Sequence, residues 1–162
     1  SKADLIVPPK MWQFESVIDH FSKFHNKEDF KLTKRILHER YPEYDEAFIK
    51  IERQHWFYPL NMLVCRKNVI DQYCEWLFPL LFQIEEEVDL SKYDGYQKRL
   101  LGFLSERLFN VWIEKNKMKC REVNVCWIEK SLFERILDTM IQRGIMLKNG
   151  YLGLISKKTT HH

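Results

Sequence analysis

The chain has 162 residues, of which 45% are hydrophobic and 30% charged, and its net charge is +3. That is one domain's worth of sequence, long enough to bury a core without staples. The near-balanced charge excludes the dense basic stripe of a specific nucleic-acid binder, no apolar run reaches membrane-spanning length, and four cysteines without a C-x-x-C pair argue against structural zinc.

The first run, Ala3 to Val7, reads as a short strand stopped by Pro8 and Pro9. From Trp12 to Phe24 the spacing of Phe14, Val17, Ile18 and Phe21 is helical. A second helix is predicted over Lys27 to Arg40, with Asn26 as its N-cap and Glu28 and Asp29 in its first turn. Pro42 disfavours helical geometry at Tyr41 and suits the first turn of a third helix ending near Arg53. A strand is predicted at Asn61 to Cys65. Asn68 then caps a helix from Val69 to Glu87. That helix is apolar on nearly every side and therefore central, with Pro79 expected to bend or split it. Asp94 is the expected cap of a long helix to Asn116. A strand around Glu122 to Trp127, a helix from Lys130 to Arg143 ending at Gly144, and a hairpin at Asn149-Gly150 complete the chain. With only 5 Gly and 5 Pro, and strands separated by helices, the fold class is α/β and helix-rich. Cys65 and Cys74 read as buried thiols of a reducing, cytosolic compartment.

Several polar groups stand out against this apolar background. His20, His25 and Asp29 could bind a metal or transfer protons. The five-residue spacing of the histidines does not form an H-x-x-x-H zinc site, and the plainer reading is surface polarity with a helix cap. Asn61 is the only polar residue in YPLNMLV, so its amide either pairs with backbone or faces a ligand. The acidic run IEEEVD reads as a solvated helix end. In the helix after Asp94, the triplet Ser105-Glu106-Arg107 interrupts a strongly apolar run. A buried carboxylate there must be paired. Arg107 points about 100° away around the helix, so the partner is expected from the Trp12 to Arg40 region. If that pair is structural, Glu106→Gln is expected to cost about 1–3 kcal/mol; if Glu106 is instead held for a ligand, the substitution is expected to leave the melting temperature nearly unchanged or to raise it.

The segment YDGYQKRLLGFLSERLFNVWI resembles the signature of a bacterial family of unknown-function domains, encoded in capsular and exopolysaccharide gene clusters and regarded as glycosyltransferases. HFSKFHNKEDFKLTKRILHERYPEYDEAF and NMLVCRKNVIDQYCEWLFPLLFQIEEEVDL extend the resemblance over roughly Asp4 to Ile128. It implies a GT-A-like fold of which residues 1–128 form the C-terminal part; the helix and hairpin read from the pattern make an extension at 129–158, and the terminal His161 and His162 mark 159–162 as an expected tag remnant. Family members carry a further N-terminal portion with a Rossmann-like start. This sequence has no glycine-rich nucleotide-binding turn, so an incomplete catalytic domain is expected.

The implied function is sugar transfer from a nucleotide-sugar donor to a glycan or lipid-linked acceptor, in capsular, exopolysaccharide or lipopolysaccharide synthesis. It would take place in the cytoplasm, with peripheral association to the inner membrane through partners. By analogy with sugar-site segments of GT-A enzymes, Asn61, Asp94 and Gln97 face the sugar, and Glu106 and Arg107 sit deeper. Asp94 and Glu106 are then the catalytic candidates, and His20, His25, Asp29, Asn61, Gln97 and Arg107 the substrate-binding ones. No cofactor is assigned to this chain, and a divalent Mn or Mg would belong to a full-length enzyme. The rival reading is a non-catalytic helical interaction module, with Trp12, Trp56, Trp76, Trp112 and Trp127 as its partner surface.

Overall fold

A computed structural model describes residues 2–126, 134, 136–145, 147 and 148. The chain is helix-rich with two small sheets. In order it forms β1 (Leu5–Val7), β2 (Met11–Trp12), α1 (Val17–Phe24), α2 (Lys27–Arg40), α3 (Asp45–Arg53), β3 (Trp56–Phe57), β4 (Val64–Cys65), α4 (Lys67–Glu87), α5 (Leu100–Lys115) and β5 (Cys120–Glu122). Single 3-10 turns occupy Pro42–Tyr44, Leu90–Lys92 and Gln97–Arg99. Residues 136–145 are helical again. Among the described residues no helix is long and apolar enough to cross a membrane.

β1 is the middle strand of three, antiparallel to β4 and parallel to β5. Its alternation follows the two-residue strand period: Leu5 and Val7 are buried while Ile6 faces outward. β2 and β3 form a separate antiparallel pair with Trp12 opposite Trp56. The helices enclose an aromatic core. Phe21 packs on Phe30 at 5.3 Å between ring centroids, and Phe30 on Phe48 at 5.2 Å edge-on. Each such ring, fully buried, contributes roughly 1.5–3 kcal/mol. α3 and α4 both pack on α5, and α2 packs on α4, so α5 lies at the centre of the body.

The helix over Lys27–Arg40 forms as expected, and the Asn26 side chain accepts from the Glu28 amide at its start. Elsewhere the sequence pattern is overridden. The predicted Trp12–Phe24 helix begins only at Val17, because the Ser16 side chain caps it there by accepting from the Asp19 amide. Met11 and Trp12 pair instead with β3, a strand distant in sequence. The predicted Asn61–Cys65 strand is only Val64–Cys65, because Leu60 and Asn61 take left-handed conformations, φ 75° and 50°. α4 starts at Lys67 after Arg66 rather than at an Asn68 cap, and it runs unbroken through Pro79. Its packing between α2 and α5 holds the turn whose backbone bond Pro79 cannot make.

The Asp94–Asn116 helix is two pieces, a 3-10 turn at Gln97–Arg99 and then α5. β5 comes earlier than the expected Glu122–Trp127 strand. The last described helix continues past Gly144 to 145, and the Asn149-Gly150 hairpin falls outside the described residues. Cys65 and Cys74 are half-buried free thiols rather than buried ones.

The four described tryptophans do not form one exposed surface. Trp76 and Trp112 are core residues. Trp12 and Trp56 are half-buried and face each other at 6.2 Å. Trp127 lies outside the described residues.

Candidate functional site

The polar residues of α5 converge on one segment, Tyr58 to Asn61. Asn110 is buried and grips Tyr58 from both sides: Oδ1 accepts from the Tyr58 amide at 2.8 Å, and Nδ2 donates to the Tyr58 carbonyl at 3.1 Å. One helical turn earlier, Glu106 Oε1 accepts from the Leu60 amide at 3.1 Å. The Asn61 side chain returns the contact. Its Nδ2 donates to Ser105 Oγ at 2.8 Å and to the Gly102 carbonyl at 3.1 Å. Residues 102, 105, 106 and 110 share one face by the i, i+3, i+4 rule, so a single helix side holds the whole turn. A left-handed conformation costs an ordinary L-residue roughly 1–2 kcal/mol. Asn tolerates it through local hydrogen bonds, but Leu60 gains nothing of its own there.

Arg107 lies beneath this face. It is 5% exposed, with the Phe57 ring at 4.6 Å and the Phe21 ring at 5.5 Å from its guanidinium carbon. Nη1 donates to Glu106 Oε2 at 2.8 Å and to the Phe103 carbonyl at 3.1 Å. The expectation that Glu106 would find its partner in the Trp12–Arg40 region is therefore wrong. Long side chains that diverge at Cβ can still meet when one folds back along the helix, and here Arg107 does so against Phe57 and Phe21. Burial pulls the Arg107 guanidinium below its ordinary value, and the Glu106 carboxylate opposes that shift. Arg107 Nε is buried without a partner.

The histidines complete the group. His25 stacks on Phe103 at 4.1 Å, and its Nδ1 meets Gln97 Oε1 at 3.1 Å. Gln97 Nε2 donates to the Phe24 carbonyl at 2.6 Å, tying the start of α5 to the end of α1. Asp94 Oδ1 accepts from the Tyr96 and Gln97 amides, so Asp94 closes the turn before α5 and is not the cap expected for it: the N-cap of α5 is Arg99, with no side-chain bond. His20 lies between Phe24 and Phe57, and its Nδ1 is buried without a partner. Burial first, then the Arg107 charge, lowers the His20 pKa, and burial lowers that of His25. Asp29 is buried, and both its oxygens accept from the Tyr93 hydroxyl, at 2.8 and 2.9 Å. Burial raises its pKa while the Tyr93 bond opposes the rise.

Seven of the eight residues singled out in the sequence thus lie around the turn before α5 and its first half, linked directly or through a shared neighbour: Asp94 to Gln97 to His25, His25 through Phe103 to Arg107, Arg107 to Glu106, Glu106 through Leu60 to Asn61, and His20 through Phe57 and the Arg107 charge. Asp29 joins through Tyr93 and through its charge near His25. Sequence reasoning missed Ser105 and Asn110 as parts of the site. The signal for Asn110 was available, since a lone amide in an apolar helix must be satisfied, as was argued for Asn61. Among the described residues no three His, Cys, Asp or Glu side chains gather as metal ligands would. Two surface depressions lie elsewhere, one of about 200 Å³ along β1 and β4 and one of about 550 Å³ beside Arg40, Pro79 and Phe82.

Residues 1–117 match the family described as "Domain of unknown function (DUF4422)". No curated protein matches. A solved structure described as the apo form of WbbM, a bifunctional glycosyltransferase, is similar at TM-score 0.75 and 28% identity. The similarity covers 80% of this chain and 25% of that one, so the present chain corresponds to about a quarter of the larger protein.

Proposed function

The chain belongs to the DUF4422 family, and from that membership we propose that it is a glycosyltransferase domain using a nucleotide-sugar donor. The reading is carried by the likeness to a bifunctional glycosyltransferase, which combines shared fold with 28% identity over most of this chain. The GT-A class and a place in bacterial capsular, exopolysaccharide or lipopolysaccharide synthesis, at the cytoplasmic face of the membrane, belong to the same proposal. So does a glycan or lipid-linked acceptor.

Sugar transfer needs groups that orient hydroxyls, a base for the acceptor, and positive charge for the departing diphosphate. In this proposal Asn61 and Gln97 stand at the sugar, with His20 and His25 beside them and Asp29 supporting His25. Asp94 is the exposed carboxylate of the group. One of its oxygens accepts from the Tyr96 and Gln97 amides in the turn before α5, and the other is the candidate base. Glu106 and Arg107 lie deeper and support the sugar site. A metal, where the full enzyme uses one, would be bound by residues other than these, because no ligand set gathers among the described residues.

The test is calorimetry of the chain with a panel of uridine and guanosine diphosphate sugars, beside transfer assays on the full-length gene product with and without Asp94→Asn. Binding of one donor, with transfer lost in the variant, is the expected result. Absence of both binding and transfer across the panel overturns the reading.

A further inference from the structure

Among the described residues the Tyr58–Asn61 turn holds the one pair of consecutive non-glycine residues with positive φ, Leu60 and Asn61, and such conformations persist only where the surroundings over-determine them. The surroundings here are three side chains and one carbonyl of α5. Asn110 holds Tyr58 at both backbone atoms, Glu106 holds the Leu60 amide, and Ser105 Oγ with the Gly102 carbonyl holds the Asn61 amide nitrogen. None of these bonds is local to the turn; each crosses from a helix more than forty residues away in sequence.

Two further features limit what Glu106 can do. One carboxylate oxygen receives the Leu60 amide and the other receives Arg107. Among the described residues its one cationic partner within ion-pair distance is Arg107, which is 5% exposed among Phe21 and Phe57. A general acid or base must exchange a proton with the reacting group, and protonating Glu106 would leave the Arg107 charge uncompensated in that apolar setting. Asn61 differs. Its Nδ2 is doubly committed to α5, and its residue is exposed. Both donor hydrogens are spent inward, which leaves the acceptor oxygen as the end of the amide available to a hydroxyl.

We propose that Glu106 is a positioning residue rather than a catalytic one: with Ser105 and Asn110 it latches the Tyr58–Asn61 turn in the left-handed form that presents the Asn61 carbonyl oxygen to a sugar hydroxyl. The assignment of the ligand as a sugar rests on the glycosyltransferase reading; the latch itself does not. Holding the turn before the ligand arrives removes the ordering cost from binding. The latch therefore acts on affinity for the sugar, whereas a catalytic acid or base acts on the chemical step.

Ser105→Ala removes one hydroxyl from the latch without touching the Glu106–Arg107 pair. Leu60→Gly removes the steric reason for the turn to relax, because glycine accepts positive φ readily. Hydrogen–deuterium exchange over residues 58–63 and calorimetry with the nucleotide sugar that binds the unmodified chain are measured on Ser105→Ala, Glu106→Gln and Ser105→Ala combined with Leu60→Gly. Exchange of this segment about tenfold faster in Ser105→Ala, with sugar affinity about tenfold weaker and both partly restored by Leu60→Gly, is the expected result. In the full-length product Glu106→Gln should raise KM for the donor and leave the pH profile of kcat in place.

Unchanged exchange in Ser105→Ala and Glu106→Gln overturns the latch. Faster exchange with unchanged sugar affinity overturns the positioning role, and a lost basic or acidic limb in the kcat profile of Glu106→Gln makes that residue catalytic. If the unmodified chain and the full-length product bind no nucleotide sugar, the functional reading fails and the sugar assignment with it, while the exchange measurement still decides the latch.

Discussion

Helices α4 and α5 pack against each other and look alike in sequence, yet they spend their buried surface differently. α4 buries six side chains, Val69, Tyr73, Trp76, Leu77, Leu80 and Ile84. α5 buries nine, and three of these are Ser105, Arg107 and Asn110. In α4 burial serves cohesion between helices. In α5 the polar groups serve a loop, the Tyr58–Asn61 turn: Asn110 satisfies the Tyr58 backbone, Ser105 holds the Asn61 side chain, and Arg107 pairs with Glu106, which receives the Leu60 amide. Damage to α4 should therefore scale with the volume removed, and damage to the polar face of α5 with the number of partners left unpaired.

The largest effect is expected at the centre of α4. Trp76 stacks on Tyr44 at 4.9 Å and lies against Tyr73 at 6.3 Å, so Trp76→Ala should cost about 4 kcal/mol in urea unfolding. A loss under about 1 kcal/mol would mean that the site collapses freely and that α4 is not the volume-limited helix.

Next comes Glu106→Gln. The Glu106 side chain is 20% exposed and Arg107 6%, and the substitution strands the buried cation. About 3 kcal/mol of stability should go, contrary to the nearly unchanged melting temperature expected of a residue held for a ligand. The double replacement Glu106→Gln with Arg107→Met should recover most of that loss, since the uncompensated charge is then gone. A double variant as unstable as the single one would put the cost in the Leu60 contact instead.

Asn110→Ala leaves the Tyr58 amide buried without its acceptor. The expected loss is about 2 kcal/mol by thermal melt, smaller than for the stranded charge because the orphaned groups are neutral.

The histidines sharpen the comparison through pH. His20 and His25 are held below the ordinary value of 6.5, both by burial first. The unfolded chain therefore takes up protons that the folded chain resists, and stability falls as pH drops through 6.5 toward the lowered folded values. Asp29 acts oppositely and at lower pH, because its raised folded pKa makes the folded state the better proton acceptor there. Melting temperatures measured from about pH 7.5 to about pH 5.5 should decline, and His20→Phe should flatten the decline. A profile unchanged in His20→Phe would assign it to other groups. The smallest effect belongs to the outer face of α4. Phe82 is 59% exposed, so Phe82→Ser should stay within about 0.5 kcal/mol of the parent.

Local signals in the sequence carried far where the structure is local. Asn26 caps the helix assigned to it because an Asx side chain reaches amides two or three residues ahead without help from the rest of the fold, and Asp94 reaches the Tyr96 and Gln97 amides in the same way but closes only the turn before α5. The apolar character of α4 likewise marked it as central, and that of α5 marked it as buried. Asn61, Glu106 and Arg107 stood out because lone polar groups in apolar runs demand partners. Which partners they take was not legible. The Leu60 amide as the receiver of Glu106, and the folding of Arg107 onto Phe57, depend on bringing β3 and α5 side by side.

The sequence by itself determined the helix-rich class, most helix positions, the family resemblance and the set of unusual polar residues, all of which follow from composition, period and short-range capping. Only the tertiary structure decided that Met11 and Trp12 extend into a strand rather than a helix, that Pro79 leaves α4 unbroken, and that Leu60 and Asn61 turn left-handed. In each case backbone hydrogen bonds or packing from elements far along the chain outweigh a local preference of about 1–3 kcal/mol, and such partners have no signature within a window of neighbouring residues.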